Sequence, residues 1–193
     1  MNRKGQFAKG IKVKGRKSAD LRELATSIRN SLHLGSTLKF PVIRFLEVLQ
    51  WKFDDFEIEI VEPSTLPKGM FACYNPCKGI VTIGETYYNM ANEENGFARW
   101  TILHECAHYI LHKNQMTALT RQTNRHHEIY EDSEWQADTL VCELLMPISL
   151  VKESMTVEEV AKCFGVSPRA AQNRLSKLYG NAEGDDVTKK INS

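Results

Sequence analysis

The amino-acid sequence predicts an α+β fold: a small antiparallel sheet packed with a helix pair, followed by a C-terminal helical pair. Three observations predict it. Apolar residues recur at helical spacing over 18–33 and again over 93–112 and 129–145. Between these stretches Phe56, Ile58 and Ile60 alternate with Glu57 and Glu59, the period of a half-buried strand. Beyond Pro147, the run Thr156-Val157-Glu158-Glu159 spells a capping box and opens a new helical segment.

Taken in order, Ser18 is the expected N-cap of a first helix running to about His33. Leu21, Leu24, Ala25, Ile28 and Leu32 form its stripe, and Gly35 ends it. A second, short helix starts near Pro41, a residue suited to a first helical turn, with Val42, Phe45, Leu46 and Leu49 facing inward. The strand around Ile58 comes next. Two more strands, Met70–Tyr74 and Gly79–Ile83, flank the turn Asn75-Pro76-Cys77-Lys78-Gly79. A helix over Glu93–His112 and one over Ile129–Leu145 bracket a polar loop from Lys113 to about His127. The last two helices run to Phe164 and to Tyr179, around the turn Gly165-Val166-Ser167-Pro168.

Composition sets the class. At 193 residues, 42% hydrophobic and 25% charged, the chain matches an ordinary soluble protein with one core and a small appendage. No apolar run approaches the roughly 20 residues of a membrane span, and the basic start is not followed by a secretory core. The expected compartment is the cytoplasm, where five scattered cysteines remain thiols. Cys73 and Cys77 lack a second pair to complete a metal site and read as thiols flanking a hairpin. Residues 1–17 hold seven of the 25 basic side chains and no acid, leaving 18 basic against 24 acidic elsewhere. The expected organisation is a disordered basic arm over 1–17, a core domain over 18–150, a helical module over 151–180 and a flexible tail over 181–193.

The chemistry concentrates in His104-Glu105-Cys106-Ala107-His108. On a helix, residues four apart share one face, so both imidazoles reach one metal ion. Glu105 lies about 100° round the helix, beside the ion rather than on it. Zinc takes three protein ligands in a catalytic site and leaves the fourth position to water. Glu134 and Asp138, again four apart and on the next apolar helix, supply a third ligand and an acceptor for the second ring nitrogen of a ligating histidine. His112, one turn past His108, lies too far along the axis to share the ion with His104 and reads as packing or rim. Donors for a developing oxyanion are sought among Tyr74, His126, His127 and Tyr130.

The run from Trp100 to His112, with Glu134-Trp135-Gln136-Ala137-Asp138 and Glu143-Leu144-Leu145-Met146-Pro147, resembles the ImmA/IrrE metallo-endopeptidases. The resemblance spans about residues 20–180. It implies a zincin-like core, Zn²⁺ held by His104, His108 and Glu134, and Glu105 as catalytic base. It also implies a protein substrate, with helix-turn-helix repressors of phages and mobile elements as the type cleaved by anti-repressors of this family. Cys106, in place of a small aliphatic residue, and Asp138, where Asn is also common, are the departures.

Residues 157–175 fit a helix-turn-helix pattern. Its second helix offers Arg169, Gln172, Asn173 and Arg174 to phosphates and base edges. In proteins similar to this one the pair packs on the peptidase core, and DNA binding is not the rule. The competing expectation is a zinc-containing DNA- or protein-binding regulator, a toxin–antitoxin-like partner without protease activity.

Overall fold

The computed structural model describes residues 10–113, 115 and 127–180. Its helices are α1 (Ser18–Ser31), α2 (Val42–Lys52), α3 (Glu85–Asn92), α4 (Gly96–His112), α5 (Ser133–Leu145), α6 (Val157–Phe164) and α7 (Pro168–Tyr179). The strands are β1 (Glu57–Val61), β2 (Ala72–Asn75) and β3 (Ile80–Gly84). The fold class is α+β, as the sequence predicts.

The sheet, however, is mixed rather than antiparallel. Its order is β1-β3-β2; β1 runs parallel to β3 with Ile58 opposite Val81, and β2 runs antiparallel to it with Tyr74 opposite Val81. Alternation in a sequence marks a strand but not its direction. The tight turn after Asn75 forces β2 and β3 into a hairpin. The longer passage from Val61 to Ala72 carries the chain past the slot that β3 later fills.

Helix ends differ for local reasons. Ser18 is already helical, and the N–H of Lys17 is held by the Asp20 carboxylate at 2.8 Å. The first helix stops at Ser31, before Gly35, because His33 turns left-handed. Helix α3, inside a stretch with no strong period, is absent from the sequence expectation. A short 3₁₀ turn, Ile129–Glu131, precedes α5 and moves its start to Ser133. The terminal pair follows expectation: Thr156 accepts from Glu159 N–H, Gly165 is left-handed, and Ser167 accepts from Ala170 N–H.

The core is built where α1 and α4 flank α5 and where α4 lies beneath β2. Leu21, Leu46, Ile83, Ile102, Leu103 and Leu144 are fully buried there. Helices α4 and α5 are apolar on most of their circumference, so polar residues on them sit inside the protein and need partners.

The basic arm expected to be disordered over 1–17 is structured from Gly10 onwards. Val13 is buried, and Lys12 pairs across to Asp132 in an isolated antiparallel bridge. The N–H groups of Val13 and Arg16 donate to the carbonyls of Glu131 and Tyr130, and Ser133 N–H donates to Ile11 O. Backbone pairing of this kind is indifferent to side-chain composition, so a run of lysines and glycines hides it. The residues expected as a flexible tail, and His126, lie outside those described.

Candidate metal centre

Two capped helices aim the site. Asn95 accepts from the N–H groups of Phe97 and Ala98 at the start of α4. At the start of α5, Asp132 accepts from Trp135 N–H at 2.9 Å and from Gly10 N–H at 2.8 Å. The first turn of α5 is thereby anchored, and Glu134 projects from it towards the middle of α4.

There His104 Nε2 lies 3.0 Å from His108 Nε2 and 3.1 Å from Glu134 Oε2, and His108 Nε2 lies 3.3 Å from Glu134 Oε1. Ligands about 2.0–2.1 Å from a tetrahedral zinc stand roughly 3.3 Å from one another, so these spacings match one shared ion. The donor set, two imidazoles and a carboxylate, is also the chemistry such an ion selects. Behind the first imidazole, Asp138 Oδ1 takes His104 Nδ1 at 3.0 Å, which leaves Nε2 to face the cluster. Hence His104, His108, Glu134 and Asp138, expected to converge, do converge.

The charges respond accordingly. Burial alone would depress His104, but its contacts with Asp138 and Glu134 dominate and carry it up to about 10. The His104 imidazole in turn holds the Glu134 carboxyl far below the usual carboxylate range.

Glu105 faces β2. Its Oε2 accepts the backbone N–H of Tyr74 at 2.7 Å. Burial raises its pKa despite the pull of both histidines. The register explains why that N–H is available: Cys73 and Asn75 point their backbone groups at β3, while Ala72 and Tyr74 point theirs outward.

The other expected donors go elsewhere. The ring of Tyr74 meets Tyr109 edge-on at 5.9 Å, and burial lifts its phenol to about 12, so its link to Glu105 is through the main chain. His127 Nε2 lies 3.1 Å from Asp132 Oδ2, and Tyr130 is largely exposed with its ring beside Gly15. His112 is not at a rim. It is fully buried behind His108, its Nδ1 3.3 Å from His108 Nδ1 and its Nε2 3.2 Å from Gln136 Oε1. Burial lowers its pKa to about 4, so it is neutral at pH 7. Gln136 was not anticipated; its only sequence signal is an amide on a helix otherwise apolar at that face.

Of the residues offered to nucleic acid, Arg169, Gln172 and Asn173 are exposed on α7. Arg174 is not. It is 2% exposed and makes a bidentate pair with Glu143 on α5, at 2.7 and 3.1 Å, which Arg22 joins at 3.3 Å. The expected contact of Arg174 with DNA is therefore corrected: the guanidinium is consumed inside the protein.

The α+β fold thus gathers His-x₃-His and a distant Glu beside a half-buried second Glu, a set that could hold a metal ion. Residues 88–176 match the model of peptidase family M78, the IrrE N-terminal-like domain, so that stretch is similar to this family. No curated protein matches the chain at a significant level. Among solved structures it is similar to a Mycobacterium tuberculosis transcriptional regulator, at 16% identity and a TM-score of 0.58. That match covers 82% of this chain and 46% of the regulator, so the chain spans about half the regulator's length and shares its fold over that part. Among the described residues, no helix is long and apolar enough to cross a membrane.

Proposed function

We propose that the protein is a zinc-dependent endopeptidase acting on a protein substrate, in which His104, His108 and Glu134 hold the ion and Glu105 is the base. One observation carries this reading: three ligand atoms from two helices lie within 4.8 Å of one another, and a half-buried carboxylate, tethered to an edge strand, stands beside them. Zinc, when bound, supplies a water of lowered pKa and polarises the scissile carbonyl.

The chain's own groups do the rest. Glu105 keeps Oε2 on the Tyr74 N–H and takes a proton at Oε1, later returning it to the leaving amine. The outward N–H and C=O of Ala72 and the outward C=O of Tyr74 suit an extended peptide laid along β2. Asp138 holds His104 in one orientation throughout.

The substrate that best suits the resemblance is a helix-turn-helix repressor, with cleavage relieving repression. The test incubates the full chain with the repressor encoded beside its gene, with and without chelator, and reads fragments by mass spectrometry. Glu105→Gln should retain zinc and lose about 10²–10⁴-fold in cleavage rate. Undiminished cleavage by that variant removes the proposed base.

A further inference from the structure

Behind the metal-facing side of His108 a polar chain runs through the interior to the N-terminal segment. His108 Nδ1 meets His112 Nδ1 at 3.3 Å, and His112 Nε2 meets Gln136 Oε1 at 3.2 Å. Gln136 Nε2 donates to two backbone carbonyls, Lys14 O at 2.9 Å and Tyr130 O at 2.7 Å. His112 and Gln136 are both fully buried.

Read from its far end, the chain has one proton assignment with neutral imidazoles. Two carbonyls accept only, so they require the amide NH₂ of Gln136 and turn its oxygen to His112. That oxygen requires a proton on His112 Nε2, which leaves His112 Nδ1 bare. A bare His112 Nδ1 requires the proton of His108 on Nδ1. Nε2 of His108 is then left with a lone pair, aimed at Glu134 and His104. The tautomer a metal ligand needs is thus dictated from main-chain carbonyls about two side chains away.

We propose that His112 and Gln136 are positioning residues that lock His108 in its metal-binding tautomer, and that Lys14, in the N-terminal strap, anchors the lock. The inference rests on the metal centre proposed above. It adds to that centre a segment lying 74 residues before the matched family region. The strap also steadies the opposite ligand, since Gly10 N–H holds the Asp132 that caps α5. Metal ligands more often lean on a carboxylate or carbonyl directly, as His104 does on Asp138. For His108 a second imidazole and an amide relay that support.

The test uses the full chain in two measurements. Long-range proton–nitrogen NMR on the unaltered protein, labelled at histidine nitrogen, should place the His112 proton on Nε2 and the His108 proton on Nδ1. A proton on His112 Nδ1 overturns the proposal without any variant. Zinc affinity, read by competition with a chromophoric chelator, should fall about 10–100-fold in His112→Phe, which keeps the ring's bulk but accepts nothing. It should fall similarly in Gln136→Leu. In His112→Asn an amide oxygen near the former Nδ1 restores the acceptor, and affinity should recover most of the loss. Unchanged affinity in His112→Phe, or equal loss in Phe and Asn variants, overturns the relay while leaving the zinc site standing. An unaltered protein that takes up no zinc sinks the metal centre itself, and a zinc-loaded protein that cleaves nothing sinks only the peptidase reading.

Discussion

Helix pairs α4–α5 and α6–α7 both carry polar side chains one turn apart, and in the sequence both look like functional modules. They differ in where those side chains go. In α4–α5 the helices are apolar over most of their circumference; His104, His108 and Glu134 turn to meet one another, and Gln136 turns inward to meet His112. In α6–α7 the amphipathic pattern is sharp, the caps are complete, and the exposed face carries Arg169, Gln172 and Asn173 to solvent. The most buried cation of that pair, Arg174, is spent on Glu143. Clean capping and a strong stripe mark a helix whose sequence is occupied with folding. Polar groups set against an apolar helix's own logic mark one occupied with chemistry.

That contrast is open to measurement. The largest stability effect should come from the internal pair that joins the two regions. Arg174→Ala leaves the buried Glu143 carboxylate with only the half-exposed Arg22 as partner and should cost about 3 kcal/mol in denaturant unfolding. Replacing both partners, Arg174→Met with Glu143→Leu, should cost far less, because the one charge left over, on Arg22, is half-exposed and solvated. A double variant as unstable as the single one would show packing, not charge, at work.

Next in size is the pH response of the chelated protein. His104 is raised from its ordinary 6.5 to about 10, so its contribution is whole below 6.5 and lost as pH climbs towards 10. Glu134 is depressed below its ordinary 4.5, so its contribution is whole above 4.5 and lost as pH falls beneath it. Melting in chelator should therefore be highest between about pH 4.5 and 6.5 and decline on either side. Equal melting temperatures at pH 6 and pH 9 would contradict the pairing.

Smaller again is the cap of α6: Thr156→Ala should cost about 1 kcal/mol, read by chemical unfolding. Smallest of all, Arg169→Ala with Asn173→Ala should shift stability by under about 0.5 kcal/mol. Duplex binding, followed by fluorescence anisotropy, should be as weak in that variant as in the unaltered protein. Tight, salt-sensitive binding abolished by the two changes would instead make the C-terminal pair a DNA reader.

Much of the centre is visible in the sequence because it obeys helical periodicity. His104 with His108, and Glu134 with Asp138, each stand four apart, and that spacing carries them to one place. What escapes notice has no period. The strap from Gly10 to Lys17 binds through main-chain groups, so its lysines advertise solvent while its backbone is committed. Without the strap, Gln136 loses one of the two carbonyls to which its amide donates. The direction of β1 escapes for the same reason, since alternation is identical for either neighbour orientation. Burial of Arg174 did leave a trace: Ala171, Arg174, Leu175 and Leu178 share one helical stripe, and a guanidinium inside such a stripe asks for an internal carboxylate.

One consequence concerns the hairpin between Asn75 and Gly79. Asn75 Oδ1 gathers the N–H groups of Cys77 and Lys78, and Gly79 sits so close to Asp55 O that any side chain there would collide with it. This loop's length sets which residues of β2 turn their amides outwards. Lengthening it by a single residue would turn the Tyr74 amide towards β3 and present a neighbouring amide to Glu105 instead. A solvent-facing bend, remote from every metal ligand in chain order, thus keeps time for the carboxylate across the groove.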